Sequence, residues 1–115
     1  MSRREKRVEA VFKLYLYDLL ETKDEDSLLF NKVLENLEHI DEVIDNVIEG
    51  YTLSRLSYLD RAIIRLATYE MIYTNTPKEI IINEAIEITK EYSDIDDKQR
   101  KFNNRLLENI KESLD

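Results

Sequence analysis

The sequence predicts an all-α fold, a helical bundle of about six helices in a single domain over residues 1–115. Apolar residues recur three and four positions apart along most of the chain, as they do on one face of a helix. The 115 residues include one glycine, Gly50, and one proline, Pro77, too few for the turns of several hairpins. The apolar fraction of 43% is enough for a core without disulfides or metal, and cysteine is absent.

Three apolar stripes predict the helices of the first half. The first, over residues 3–20, comprises Val8, Val11, Phe12, Tyr15 and Leu19, and the polar stretch 22–26 ends it. The second comprises Leu29, Val33, Leu34 and Leu37, and the third Ile40, Ile44, Val47, Ile48 and Tyr51.

Three more helices are predicted in the second half. Ser57 and Asp60 have the spacing of a capping box that opens a helix over residues 58–73. That helix is apolar nearly all round, so we expect it in the middle of the bundle. Thr76 and Glu79 have the same spacing, with Pro77 at the first helical position, and open the next helix, although the run 80–82 alone favours a strand. The last helix, over residues 98–114, buries Phe102, Leu106, Ile110 and Leu114.

The formal net charge of −8 is unevenly distributed along the chain. Residues 18–49 carry eleven acids and two lysines, a net charge of −9. Residues 1–13 carry a net charge of +3, and residues 98–105 carry +4 with no acid. The protein is therefore an acidic body with two short basic segments.

Helical geometry places the basic residues of each segment on one flank of their helix, and in the last helix that flank lies beside an aromatic ring. Arg3, Lys6 and Arg7 fall on one flank of the first helix at 100° per residue. Lys98, Lys101 and Arg105 fall on one flank of the last helix, with Phe102 at the boundary between that flank and the core. Cations beside a ring on which a base can stack are typical of single-stranded RNA recognition. Two alternatives stay open: the N-terminal cations form a solvated tail, and Phe102 is a core residue.

Several function classes have no residues to support them. Phosphate-binding loops need several glycines, and the only histidine, His39, is too little for a metal centre or a catalytic triad. We therefore expect no enzyme activity, no metal and no cofactor. A long apolar run and a signal-peptide core are both missing, which predicts a cytoplasmic protein without a membrane segment. Glu70 shares a helix face with Leu59, Ile63 and Leu66, so we expect it to be paired at the edge of the core.

These residues resemble the NusB family of bacterial transcription antitermination factors. The matching stretches are Arg3-Arg4-Glu5-Lys6-Arg7 with Leu14-Tyr15, the run 56–70, Pro77, the run 82–87, and Lys101-Phe102 with Asn104. The resemblance implies an all-helical fold of two packed three-helix groups. It also implies binding of the single-stranded boxA element of ribosomal RNA transcripts together with NusE, a ribosomal small-subunit protein, in the RNA polymerase antitermination complex.

The resemblance also assigns site residues. Arg3, Arg4, Arg7, Lys101 and Phe102 match the family's RNA contacts. Lys6, Lys98 and Arg105 belong to the same candidate RNA surface by charge and helical angle. Tyr15 and Asp60 match the NusE contact, although Asp60 also suits a helix cap.

The chain departs from the family pattern at two places. Between residues 20 and 28 it lacks the family's second helix. We therefore expect the first three-helix group to be reduced to two helices, together with the contacts that the first helix still makes. This loss should expose Leu14 or Leu16 and favour a homodimer. The last-helix motif usually reads Lys-Phe-Val-Asn-Gly, whereas this chain has Arg105 at the final position. The second hypothesis is therefore an acidic helical interaction scaffold or homodimer that does not bind RNA.

Overall fold

The computed structural model describes residues 1–21 and 27–115, and within these ranges the fold is all-helical. The six helices are α1 (Arg3–Leu20), α2 (Leu28–Glu35), α3 (Leu37–Val47), α4 (Tyr58–Tyr73), α5 (Lys78–Tyr92) and α6 (Asp97–Leu114). A single 3-10 turn, Leu53–Arg55, lies between α3 and α4. The predicted all-α class with about six helices is confirmed, including the helical state of the run 80–82.

Helix α4 is the central helix of the bundle, as predicted. It contacts each of the other five helices, and residues 62–71 are all buried. The ion pairs between α1 and α4 set their relative direction: Arg7 near the start of α1 pairs with Glu70 near the end of α4. Asp18 near the end of α1 pairs with Arg61 near the start of α4. The two helices are therefore antiparallel.

A buried ion network joins α4 to the first helical group. The Arg65 guanidinium donates to Asp41 of α3, with Nη2–Oδ2 at 2.8 Å, and to Asp18 of α1, with Nη1–Oδ2 at 2.9 Å. Burial lowers the pKa of Arg65, but the hydrogen bonds and charges of Asp41 and Asp18 outweigh burial and raise the pKa above its ordinary value. Arg65 thus holds α1 and α3 against the same side of α4.

The buried stripe of α1 differs from the predicted one. Its buried residues are Arg7, Ala10, Val11 and Leu14. Phe12 and Leu19 are 36% and 45% exposed, because α1 presents the neighbouring part of its surface to α4. The predicted exposure of Leu14 is wrong, since it is 1% exposed, whereas Leu16 is 42% exposed as expected.

The two predicted capping boxes have different outcomes. The Ser57 hydroxyl accepts from the Asp60 backbone N–H at 3.1 Å and so caps α4. Only this half of the predicted box forms, because the Asp60 carboxylate accepts from the Ser93 hydroxyl instead. The second box is wrong: the N-cap of α5 is Pro77, which has no side-chain cap bond, and the helix begins at Lys78. Pro77 thus precedes the first helical residue, and Thr76 lies one position too early to cap the helix.

Two short helices follow α1 in the first group. The chain breaks at Asn36 between α2 and α3, and Ile48 and Tyr51 lie beyond the end of α3. The helix break expected at 22–26 lies outside the described residues, as does most of the stretch in which the family's second helix was expected to be missing. No helix in the described part of the chain is long and apolar enough to cross a membrane.

Candidate nucleic-acid interface

The start of α6 carries a row of free positive charges. Asp96 caps the helix, because its carboxylate accepts from the Gln99 backbone N–H at 2.8 Å. Lys98, Lys101 and Arg105 follow on one flank, and all three are exposed. Among residues 1–21 and 27–115, none of the three has an ion-pair partner. We call Lys98, Lys101 and Arg105 the α6 basic flank.

Phe102 lies at the edge between the α6 basic flank and the core. It is half-buried, and its ring packs on Tyr51 with centroids 5.1 Å apart and the planes at 53°. Tyr51 belongs to the segment between α3 and α4, which sequence reasoning assigned to the end of a helix. Phe102 therefore has packing contacts of a core residue and an accessible portion beside the cations.

The N-terminal basic segment provides two free cations. Ser2 caps α1 through a full capping box with Glu5, which fixes the first turn. Arg3 and Lys6 project from this turn, are exposed, and form no ion pair with any described residue.

Arg4 is engaged by α5. Its Nη2 lies 2.8 Å from Glu91 Oε2, and its Nη1 lies 3.6 Å from Glu84 Oε2. The hydrogen bond that Arg4 donates to the Glu91 carboxylate raises the pKa of Arg4. Two carboxylates thus offset the charge that Arg4 would offer to a phosphate.

Arg7 is buried and paired with Glu70. Its Nε donates to both carboxylate oxygens of Glu70, at 2.9 and 3.0 Å, and each residue is 7% exposed. This pair confirms the expectation that Glu70 is partnered at the edge of the core. Arg7 lies seven residues before Leu14 on the buried stripe of α1, and that spacing was the signal that it faces inward. Its match to an RNA contact stays a prediction.

The structure does not join the two basic segments. No hydrogen bond, ion pair or ring contact connects residues 3–7 with the α6 basic flank in the described ranges. Helix α5 contacts α1 through Arg4 and through the ring pair of Phe12 and Tyr92, and it contacts α6 through the ion pair of Glu79 and Lys111. Helix α5 therefore has contacts with both of the helices that carry the basic segments.

The two residues matched to a protein partner have different surroundings. Tyr15 is half-buried, and its ring lies edge-on to Tyr58 at 6.4 Å. Asp60 is only 2% exposed and accepts a hydrogen bond from the Ser93 hydroxyl at 2.7 Å. Asp60 therefore links the start of α4 to the end of α5.

The histidine and acids do not assemble a metal centre in the described ranges. His39 is exposed in the first turn of α3, with its ring 6.3 Å from that of Tyr73. Residues 1–21 and 27–115 contain no group of three or more potential ligands that could hold a metal ion.

Comparison with known proteins identifies the family. The family model described as NusB family matches residues 2–112. The chain belongs to the NusB family. The resemblance predicted from the central run and the two basic segments is thereby confirmed.

Two relatives and one solved structure show how far the likeness extends. The transcription antitermination protein NusB of Bacillus licheniformis is 38% identical over 125 positions, which cover 97% of this chain and 95% of the relative. That of Staphylococcus aureus is 35% identical over 134 positions, covering 96% and 99%. The crystal structure of T. maritima NusB has 31% identity and a TM-score of 0.81, covering 97% of this chain and 92% of the other.

Membership of the NusB family settles two predictions. NusB proteins are transcription antitermination factors, so the predicted role in antitermination and the predicted absence of enzyme activity are confirmed. Both alignments extend over more positions than the 115 residues of this chain. The chain is therefore shorter than these NusB relatives within the aligned region, in agreement with the predicted shortening.

Proposed function

We propose that this NusB-family protein binds single-stranded boxA-type RNA of ribosomal RNA transcripts. The observation that carries this proposal is the α6 basic flank, three exposed cations that form no ion pair with any described residue, beside the half-buried ring of Phe102. Free lysines and arginines bind phosphates and release counterions, while an aromatic edge offers a surface for an unpaired base. In an acidic body, such a flank confines a polyanion to one part of the surface.

Arg3 and Lys6 form the second part of the proposed RNA surface. They are exposed and unpaired in the described structure, so binding a phosphate costs them no internal ion pair. Arg4 and Arg7 would have to give up Glu91 and Glu70, respectively, to contact RNA. We therefore expect Arg3 and Lys6 to carry most of the N-terminal contribution.

The proposed protein partner is NusE, within the RNA polymerase antitermination complex in the cytoplasm. The accessible part of Tyr15, beside the exposed Tyr58 ring, is the contact we propose for it. Because Asp60 is buried against Ser93, we propose that it acts by fixing this end of α4 beneath the aromatic pair.

Fluorescence anisotropy tests this function. A labelled boxA-type RNA and a scrambled RNA of equal length are titrated with the protein, with and without NusE. We expect selective binding of the boxA-type RNA that NusE strengthens, and loss of that strengthening in Tyr15→Ala. Equal, feeble binding of both RNAs in the presence of NusE would contradict the proposal.

A second candidate, a homodimer or protein scaffold without RNA binding, is favoured by the outer face of α1. Phe12, Leu16, Leu19 and Leu20 are between 36% and 60% exposed there. This candidate predicts a concentration-dependent dimer in sedimentation equilibrium that Leu16→Glu disrupts, and partner binding that does not change with salt. A monomer at all concentrations would exclude the homodimer.

A further inference from the structure

A small pocket lies between the end of α3 and the flank of α6. Its volume is about 190 Å³, and its lining residues are Val47, Glu49, Phe102, Arg105, Leu106 and Asn109. Pockets that enclose whole small molecules have volumes of about 300–1,000 Å³. This pocket is therefore of a size for one flat ring system rather than for a complete nucleotide.

Three polar side chains on the pocket wall have no partner among residues 1–21 and 27–115. They are the carboxylate of Glu49, the guanidinium of Arg105 and the amide of Asn109. Glu49 and Arg105 have opposite charges and line the same pocket, yet no ion pair joins them. The two groups thus have hydrogen-bonding capacity that no described residue uses.

The pocket continues the α6 basic flank. Asn109 lies one helical turn after Arg105, which lies one turn after Lys101, so the three share one side of α6. A strand whose phosphates follow Lys98 and Lys101 would therefore bring its next base to the pocket. The apolar walls, Phe102 and Leu106 of α6 and Val47 of α3, suit the faces of that base.

Building on the proposed RNA binding, we propose that this pocket binds a guanine base of an unpaired RNA strand. Guanine has two acceptors, O6 and N7, on one edge, and a guanidinium such as that of Arg105 can donate to both. Its opposite edge has two N–H donor groups, N1 and N2, which suit the carboxylate of Glu49. Cytosine and adenine offer an amino donor to Glu49 without the paired O6 and N7 acceptors, and uracil has only one N–H.

Arg105 is the group on which this specificity depends. The structure places Arg105 on the pocket wall beside Phe102, so it offers a base-reading group in addition to a phosphate contact.

The test compares labelled RNA nonamers that differ only in their central base. Eight uridines flank a central guanine, adenine, cytosine or uracil, and the full chain is titrated into each by fluorescence anisotropy at constant salt. A bidentate base contact predicts that the guanine nonamer binds about 5- to 150-fold more tightly than the other three.

Two conservative variants test whether the preference for the guanine nonamer arises in this pocket. Glu49→Gln removes the carboxylate, and Arg105→Lys keeps the charge but loses the paired donors. We expect each variant to reduce the guanine preference below about 2-fold while the all-uridine nonamer still binds. Glu42→Gln, which removes an exposed carboxylate of α3 outside the pocket lining, is the matched control and should keep the full preference.

The outcomes separate this inference from the proposed function. Binding of all four nonamers with equal affinity would overturn the guanine pocket and leave RNA binding intact. A guanine preference that survives in both Glu49→Gln and Arg105→Lys would also overturn it, because the reading groups would lie elsewhere. No binding of any nonamer, together with no binding of boxA-type RNA in the presence of NusE, would overturn both proposals.

Discussion

At the scale of single residues, Arg3 and Arg7 show that burial determines whether a guanidinium is available to bind a phosphate. They lie one helical turn apart on α1 and share its flank by helical angle. Arg3 is exposed and unpaired among the described residues, whereas Arg7 is 7% exposed and donates to Glu70 on α4. Moving Arg7 to a phosphate would leave the Glu70 carboxylate buried without a partner, which is costly.

Arg7→Ala should therefore destabilise the protein. Breaking a buried ion pair by removing one partner costs about 3–5 kcal/mol, because the remaining charge is uncompensated. Urea unfolding measures this loss, and the double variant Arg7→Met with Glu70→Leu should recover much of it. Lys6→Ala, which removes an exposed neighbour, should change stability by no more than about 0.5 kcal/mol. Unchanged stability of Arg7→Ala with lost RNA affinity would mean that Arg7 serves the ligand instead.

Replacing Phe102 by leucine distinguishes a role in base stacking from a role in core packing. Phe102→Leu keeps apolar volume against Tyr51 but removes the aromatic face. Base stacking on an aromatic side chain contributes about 1–3 kcal/mol, so the affinity for boxA-type RNA should fall by that amount. Circular dichroism melts confirm that the variant is folded under the assay conditions. Unchanged affinity in a folded variant would show that Phe102 is a core residue alone.

The sequence was enough to predict that Glu70 is paired, but not to identify the residue that pairs with it. The spacing of Glu70 with Ile63 and Leu66 was sufficient to predict a paired acid. Its partner lies 63 positions earlier in the chain, and helical periodicity has no information over that distance. The pocket lining of Glu49 and Asn109 was missed for the same reason, since it arises only when α3 packs on α6.

At the scale of elements, the six helices follow from periodicity and their ends depend on local chemistry. The apolar residues around α4 predicted its central position, and the structure confirms it. The buried face of α1 did not follow from periodicity, because Phe12 and Leu19 have helical spacing with Val8 and yet face outward. Periodicity predicts that the segment is helical, but which face of α1 is buried depends on how α1 packs against α4.

Ser57 and Thr76 provide a matched test of capping. The Ser57 hydroxyl accepts from the Asp60 backbone N–H, whereas Pro77 is the N-cap of α5 and Thr76 makes no cap bond. Ser57→Ala should cost about 1 kcal/mol of stability, and Thr76→Ala should cost less than about 0.5 kcal/mol. Thermal unfolding of both variants measures the difference. Equal losses would contradict the assignment of the caps.

At the scale of the whole molecule, the sequence determines where the charged residues lie along the chain, and helix packing determines which of them are paired. The net charge of −9 over residues 18–49 belongs to the first half of the sequence, while cations without an ion pair in the described ranges occupy the starts of α1 and α6. The separate basic segments were visible in the sequence. The engagement of Arg4 by Glu84 and Glu91 was not, because it depends on how α5 packs beside α1.

The salt dependence of boxA-type RNA binding is the most direct measurement of the central claim. In the two segments proposed to bind RNA, five exposed cations have no ion pair with any described residue: Arg3, Lys6, Lys98, Lys101 and Arg105. Each single-strand phosphate neutralised contributes about −0.7 to the slope of log K against log salt, so five predict a slope of about −3.5.

Removing two of these charges should change the slope by a known amount. Lys101→Gln combined with Arg105→Gln should reduce the slope to about −2, because two phosphate contacts are lost. Lys32→Gln, which removes an exposed cation of α2, should leave it unchanged. A binding constant independent of salt, or a slope unaffected by the loss of Lys101 and Arg105, would contradict the assignment of RNA binding to the α6 basic flank.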